Sequence, residues 1–193
     1  MNRTQQGDWQ KEGRVQRAPL TRGIGWGLIG GLVGTLAMDI LLMGALSSVR
    51  YPAFLCFSIV GDTVSRFVSL FGLPLAGGVS TGAVAHYAIG PMVGILFGAA
   101  AVIRPALREG TLKKYMLAAV LYVEILSQPL LATTPILLRM TPAETLLWFG
   151  GSFAMHLIFG IVLGAVTGYG LRRALPFGIH QKHARQLIPF MYW

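Results

Sequence analysis

Charge is scarce in this 193-residue chain: Asp, Glu, Lys and Arg make up 12% of it, about half the share usual in a soluble domain. That excludes an ordinary water-soluble fold. Cysteine occurs once, at Cys56, which excludes an internal disulfide, a CxxC metal knuckle and a CxxCH haem attachment. GxSxG, HExxH and a phosphate loop following a strand are also missing. The crowded glycines of "GIGWGLIGG" lie inside an apolar run, so they are no dinucleotide fingerprint. The chain therefore reads as a non-enzyme. Its first 22 residues hold no short apolar segment ending in a small-residue cleavage site, so the first apolar run reads as a retained helix rather than a signal peptide.

What is present is hydrophobic: 54% of the residues, with 25 glycines. The apolar residues gather into runs long enough to cross a hydrocarbon layer, which takes about 20 residues. Four spans follow, Gly23–Ala45, Ala83–Ile103, Tyr115–Thr134 and Leu146–Leu171. The expected fold is all-α and polytopic: four transmembrane helices arranged as two repeated hairpins, over residues 23–172, between an N-terminal tail (1–22) and a C-terminal tail (173–193). The N-terminal tail has no apolar period and is expected to be irregular unless a partner orders it.

The formal net charge of +9 is a topology signal rather than a nucleic-acid footprint. Of 16 Lys and Arg residues, all but Arg50, Arg66 and Arg139 lie in the two tails, in the 104–114 loop or, as Arg172, where the last span meets the C-terminal tail. By the positive-inside rule both termini face the cytoplasm of a bacterial inner membrane, and the loops 46–82 and 135–145 face outward. The expected partners are the lipid bilayer, anionic lipid above all, and other membrane-protein subunits or further copies of the chain. Nucleic acid is not among them.

Within the first outer loop, "FLCFSIVGDTVSRFVSLFG" sets Ser58, Asp62, Ser65 and Ser69 on one helical face and Phe57, Val60, Val64, Phe67 and Phe71 on the other. That pattern predicts an interfacial amphipathic helix over about 54–72, with Asp62 and Arg66 able to pair at i,i+4. In the third span Pro129 should kink or end the helix. "TPAE", Thr141 to Glu144, carries the N-cap threonine, first-turn proline and third-position glutamate of a helix start.

The second and fourth spans share His-x3-Gly-x3-Gly-x3-Gly: His86, Gly90, Gly94 and Gly98, then His156, Gly160, Gly164 and Gly168. Such self-similarity points to duplicated hairpins. The first span is glycine-striped as well, with Gly27, Gly31 and Gly34, and all these glycines read as surfaces for close helix packing. The odd spans each carry one acid, Asp39 and Glu124. Counted from the basic anchors at 1.5 Å per residue, Asp39, His86 and His156 each lie about 25 Å from the cytoplasmic edge, and Glu124 about 15 Å.

Intramembrane ionisable residues are functional candidates by default. His86 and His156 are candidate cofactor ligands. With Asp39 they form a conceivable metal set for copper, zinc or iron, and as two parallel imidazoles they could clamp a haem or each ligate a chlorin. The alternative is pairing, each histidine bonding a carbonyl or one of them meeting Asp39. Glu124 is a candidate proton-carrying or polar group. His180 and His183 in the C-terminal tail read as solvated or lipid-facing, and "LIPFMYW" as an interfacial anchor or a docking segment.

The phrases "GGLVGTLAMDILLM", "AHYAIGPMVGILFG" and "MHLIFGIVLGAVTGYGL" resemble a family of small, uncharacterised bacterial four-span membrane proteins. The resemblance covers roughly residues 23 to 172. It implies the same architecture, with His86 and His156 at family-pattern positions, while Asp39 stands where a small hydroxyl residue is more usual. It names no activity and no cofactor. The leading expectation is a non-catalytic structural or accessory subunit of a larger membrane complex. Alternatives are a metal, haem or chlorin carrier and a small permease or proton conductor.

Overall fold

The computed structural model describes the backbone of residues 3–104, 107 and 110–174, and side chains between 20 and 173. Among the described residues the chain is all-helical, with five long helices: α1 (Arg3–Ser48), α2 (Leu55–Ser69), α3 (Val79–Ile103), α4 (Leu112–Leu138) and α5 (Pro142–Ala174). Four segments are long and apolar enough to cross a membrane: Leu20–Ser48, Val79–Ile103, Leu112–Leu138 and Pro142–Arg173. They run alternately up and down. One end of the bundle carries Arg104, Lys113, Lys114, Arg172 and Arg173, and is called the basic end here; the other carries α2.

The expectation of an irregular N-terminal tail is corrected. The α1 backbone is helical from Arg3 onward. Gln, Glu, Lys and Arg, frequent in this tail, are good helix formers, and extending a helix already nucleated in the span costs far less than starting one. The C-terminal tail, with His180, His183 and "LIPFMYW", lies outside the described residues.

Helix α1 is the centre of the bundle. It packs on α3 along one face and on α5 along another, while α4 packs mainly on α5 and barely meets α3. Glycine sets these approaches. A Cβ at Gly94 would fall on the Gly27 carbonyl oxygen, and one at Gly27 on the Gly94 carbonyl; Gly23 and Gly98 stand in the same mutual relation, and Gly31 faces Gly90. On the other face of α1, Gly30 meets Leu163 and Thr167, and Gly34 meets Phe159. The stripe on α5 turns instead to α4: Gly160 faces Val120, Gly164 faces Met116 and Gly168 faces the Tyr115 ring. In lipid, backbone approach of this kind supplies the dispersion contacts that a hydrophobic drive supplies in water.

The core follows from this arrangement. Phe97, Ala101, Tyr115, Ala119, Val123, Phe159, Leu163, Leu171 and Met38 form one buried cluster. It occupies the half of the bundle nearer the basic end. Toward α2 the packing opens: residues 142–157 of α5 and 40–48 of α1 include no buried position.

Proline does not end α4, which runs through both Pro129 and Pro135 to Leu138. Each proline lacks an N–H and so orphans the carbonyl four residues earlier. Pro135 orphans Leu131, and the Trp148 indole Nε1 of α5 donates to the Leu131 carbonyl at 3.1 Å. The start of α5 is the reciprocal capping box that the sequence announces. Thr141 N donates to Glu144 Oε2 at 2.7 Å, and Glu144 N donates to Thr141 Oγ1 at 3.3 Å.

Helix α2 lies across α3 and the far end of α4. Gly61 and Gly82 let it approach α3 until a Cβ at Gly82 would overlap the Phe57 carbonyl oxygen. Its polar face folds back on its own loop: Asp62 Oδ1 accepts from Gly78 N at 2.8 Å, and Ser65 Oγ donates to the Leu75 carbonyl at 2.6 Å. Phe67, Leu70 and Phe71 are left exposed. The Asp62–Arg66 pair does not form, because Arg66 donates to the Leu137 carbonyl at 3.0 Å. Two external partners win over an i,i+4 pair worth only about 0.2–0.5 kcal/mol.

Candidate functional site

Asp39 is buried in α1 at the level where the tight packing ends. A turn below it, Thr35 Oγ1 donates back to the Gly31 carbonyl at 2.9 Å. Asp39 Oδ1 stands 3.0 Å from His86 Nε2 of α3, the only ion-pair contact within 4.0 Å among the described residues. It is an ion-pair approach rather than an aligned hydrogen bond, and the second oxygen, Oδ2, likewise accepts none. Of the roles open to Asp39 in the sequence, pairing with a histidine is the one the structure contains.

Helix α2 closes this site from the side. The Phe57 ring meets the His86 imidazole edge-on, with centroids 5.5 Å apart at 72°, and Tyr87 stands 6.5 Å from Phe57. The Tyr87 hydroxyl comes within hydrogen-bonding reach of the Asp39 carboxylate, and Cys56 within electrostatic reach of it. Burial, and secondarily the Asp39 charge, push the Cys56 thiol up to about 11. Sequence patterning marks none of Cys56, Phe57 and Tyr87 as site residues. The edge that joins them to Asp39 is set by the Gly61–Gly82 approach, whose partners lie too far apart in sequence to be paired by periodicity.

His156 comes within electrostatic reach of His86, but among the described residues it enters no ion pair, and its Nδ1 is buried without a partner. Among the described residues no three His, Cys, Asp or Glu side chains gather closely enough to hold a metal. The three-ligand set of His86, His156 and Asp39 is therefore not assembled: Asp39 is turned to His86, and His156 is carried by α5, which packs on a different face of α1 from α3. Equal depth brings His156 within electrostatic reach of His86 without completing a three-ligand group among the described residues.

Glu124 is carried by α4, which packs mainly on α5 rather than on α1. Both its carboxylate oxygens are buried without partners.

All nine glycines expected to form packing surfaces, Gly27, Gly31, Gly34, Gly90, Gly94, Gly98, Gly160, Gly164 and Gly168, have a neighbouring helix within van der Waals distance of a built Cβ. Gly25, Gly44, Gly150 and Gly151 have nothing within 4 Å. Comparison with protein-family models, with curated proteins and with solved structures finds no match to this chain.

Proposed function

We propose that the chain is a small, non-catalytic integral subunit or assembly partner of a larger membrane complex, held in a bacterial inner membrane with its basic end in the cytoplasm. The observation that carries this reading is the open outer half of α5. In the inner half of the bundle every helical glycine except Gly25 meets a neighbouring helix. Gly150 and Gly151 meet nothing, and they sit on a 16-residue stretch, 142–157, without a buried position. Glycine in a helix interior costs about 0.5–1 kcal/mol relative to alanine, and in lipid that cost is recovered where a second helix comes close. A partner's transmembrane helix on this face recovers it. The placement of 13 of the 16 basic residues supports the orientation. The equivalent glycine seams, α3 on α1 and α5 on α4, support an origin of the fold as two duplicated hairpins.

The test extracts the full chain from native membranes in polymer-bounded lipid discs, beside the Gly150→Leu/Gly151→Leu variant. The wild type is expected to travel with stoichiometric partner chains, and the variant to lose them while keeping its helical content. A monodisperse wild-type monomer would overturn the reading.

A second reading, a cofactor carrier, has one specific support: the buried, unpartnered Nδ1 of His156 within electrostatic reach of His86. A neutral imidazole nitrogen without a bond is a free ligand to a haem or chlorin. An absorption spectrum with metal analysis, run beside His156→Ala, separates this reading from the first. A Soret or chlorin band lost in the variant supports it, and a blank spectrum on folded protein removes it.

A further inference from the structure

We propose that the groove between the start of α4 and the end of α5 is a binding site for the phosphate of an anionic membrane lipid. A cavity of about 330 Å³ opens there, lined by Leu112, Tyr169, Arg172 and Arg173. The Arg173 guanidinium lies over the Tyr169 ring, 4.4 Å from its centroid, which fixes one positive charge at the rim without neutralising it. Arg172 and Arg173 are both exposed and enter no ion pair among the described residues. Guanidinium groups present paired donors in a fork that matches phosphate oxygens.

The start of α4, which reaches the groove at Leu112, adds donors of another kind. Helix α4 begins at Leu112, with Thr111 as its cap: Thr111 Oγ1 accepts from Lys114 N at 3.4 Å, and the Thr111 carbonyl accepts from Tyr115 N at 3.2 Å. The amides of Leu112 and Lys113 are those that a helix start leaves without an intrahelical acceptor, and they point toward the end where an anion is favoured. Among the described residues no carboxylate stands at this end: Asp39, Asp62, Glu124 and Glu144 all lie elsewhere.

Position selects the source of the phosphate. Arg172 and Arg173 form the last turn of a 32-residue apolar span, at the height where headgroups begin, and Leu112 gives the groove an apolar side suited to the first acyl carbons. A soluble phosphate would use the two guanidinium groups and the amides but would gain nothing from Leu112. The inference does not depend on the proposed subunit role.

The full chain is placed in nanodiscs of equal phosphatidylglycerol and phosphatidylcholine, and the lipids that stay bound are read by native mass spectrometry. The wild type is expected to retain phosphatidylglycerol in preference, and Arg172→Ala/Arg173→Ala to lower that preference about tenfold. Arg50→Ala, at the opposite end, is expected to leave it unchanged. Circular dichroism on each variant checks that the helices persist. Equal retention of the two lipids by the wild type would overturn the proposal without reference to any variant. Release of the bound lipid by millimolar inorganic phosphate would overturn its lipid assignment, and an unchanged preference in the double variant would overturn its location.

Discussion

His86 Nε2 stands 3.0 Å from Asp39 Oδ1, while Asp39 Oδ2 accepts no aligned hydrogen bond. The pair joins α1 to α3 at the level where the glycine seam gives way to open packing. Removing His86 leaves the buried Asp39 carboxylate without its ion-pair partner. His86→Ala is expected to destabilise the chain by about 1–3 kcal/mol, measured by unfolding in mixed micelles. His86→Leu/Asp39→Leu is expected to recover most of that loss, because apolar groups of similar size leave nothing unpaired. Additive losses in the double variant would show that the two residues do not act as a pair.

The α1–α3 seam makes a prediction from backbone contact alone. Gly94 and Gly27 each lie where the other's carbonyl oxygen leaves no room for a Cβ, whereas Gly25, on the same helix, has nothing within 4 Å. Gly94→Val is expected to cost about 1–3 kcal/mol through forced separation of the helices. Gly25→Ala is expected to be neutral or to stabilise by up to about 1 kcal/mol, through helix propensity. Similar effects at the two sites would contradict the seam.

Much of this fold is legible in the sequence, and the illegible part has a common cause. Span number, the α2 amphipathic pattern and the Thr141–Glu144 capping box are all local or periodic, so a single sequence carries them. The glycine stripes are visible too, but a stripe does not name its partner. Gly90, Gly94 and Gly98 seat on α1, while their counterparts Gly160, Gly164 and Gly168 seat on α4. Depth counting placed Asp39, His86 and His156 at one height without being able to choose which histidine Asp39 meets. The tail helix from Arg3 to the first span is a different failure. There the helix propensity of Gln, Glu, Lys and Arg outweighs the absence of an apolar period. Asp62 shows the converse, since its visible i,i+4 partner Arg66 lost to contacts made by a loop and by a second helix.

Trp148 and Leu131 offer a case in which the signal was present. Pro135 lacks an N–H, so the Leu131 carbonyl needs an outside donor, and the indole of Trp148 supplies it at 3.1 Å. Trp148→Phe is expected to cost about 1 kcal/mol in the wild-type background. In a Pro135→Ala background the intrahelical bond returns and the same change is expected to cost less. The double-mutant cycle reads the difference, and equal costs in both backgrounds would remove the proline from the account.

Cys56 gives the pH-dependent prediction. Burial, aided by the Asp39 carboxylate, raises its thiol from 9.0 to about 11. The thiolate is the reactive form, so at pH 8 alkylation by iodoacetamide is expected to run about 100-fold slower than at an unperturbed thiol. Asp39→Asn removes the secondary cause and is expected to quicken it only modestly. The linkage has a definite sign. Between about pH 9 and pH 11 the unfolded chain releases this proton while the folded chain keeps it, so Cys56 makes folding less favourable as pH rises through that window. Cys56→Ser, whose hydroxyl does not titrate there, is expected to flatten the decline. A Cys56 that alkylates at the rate of a free thiol in folded protein would mean that α2 does not stay docked on α3.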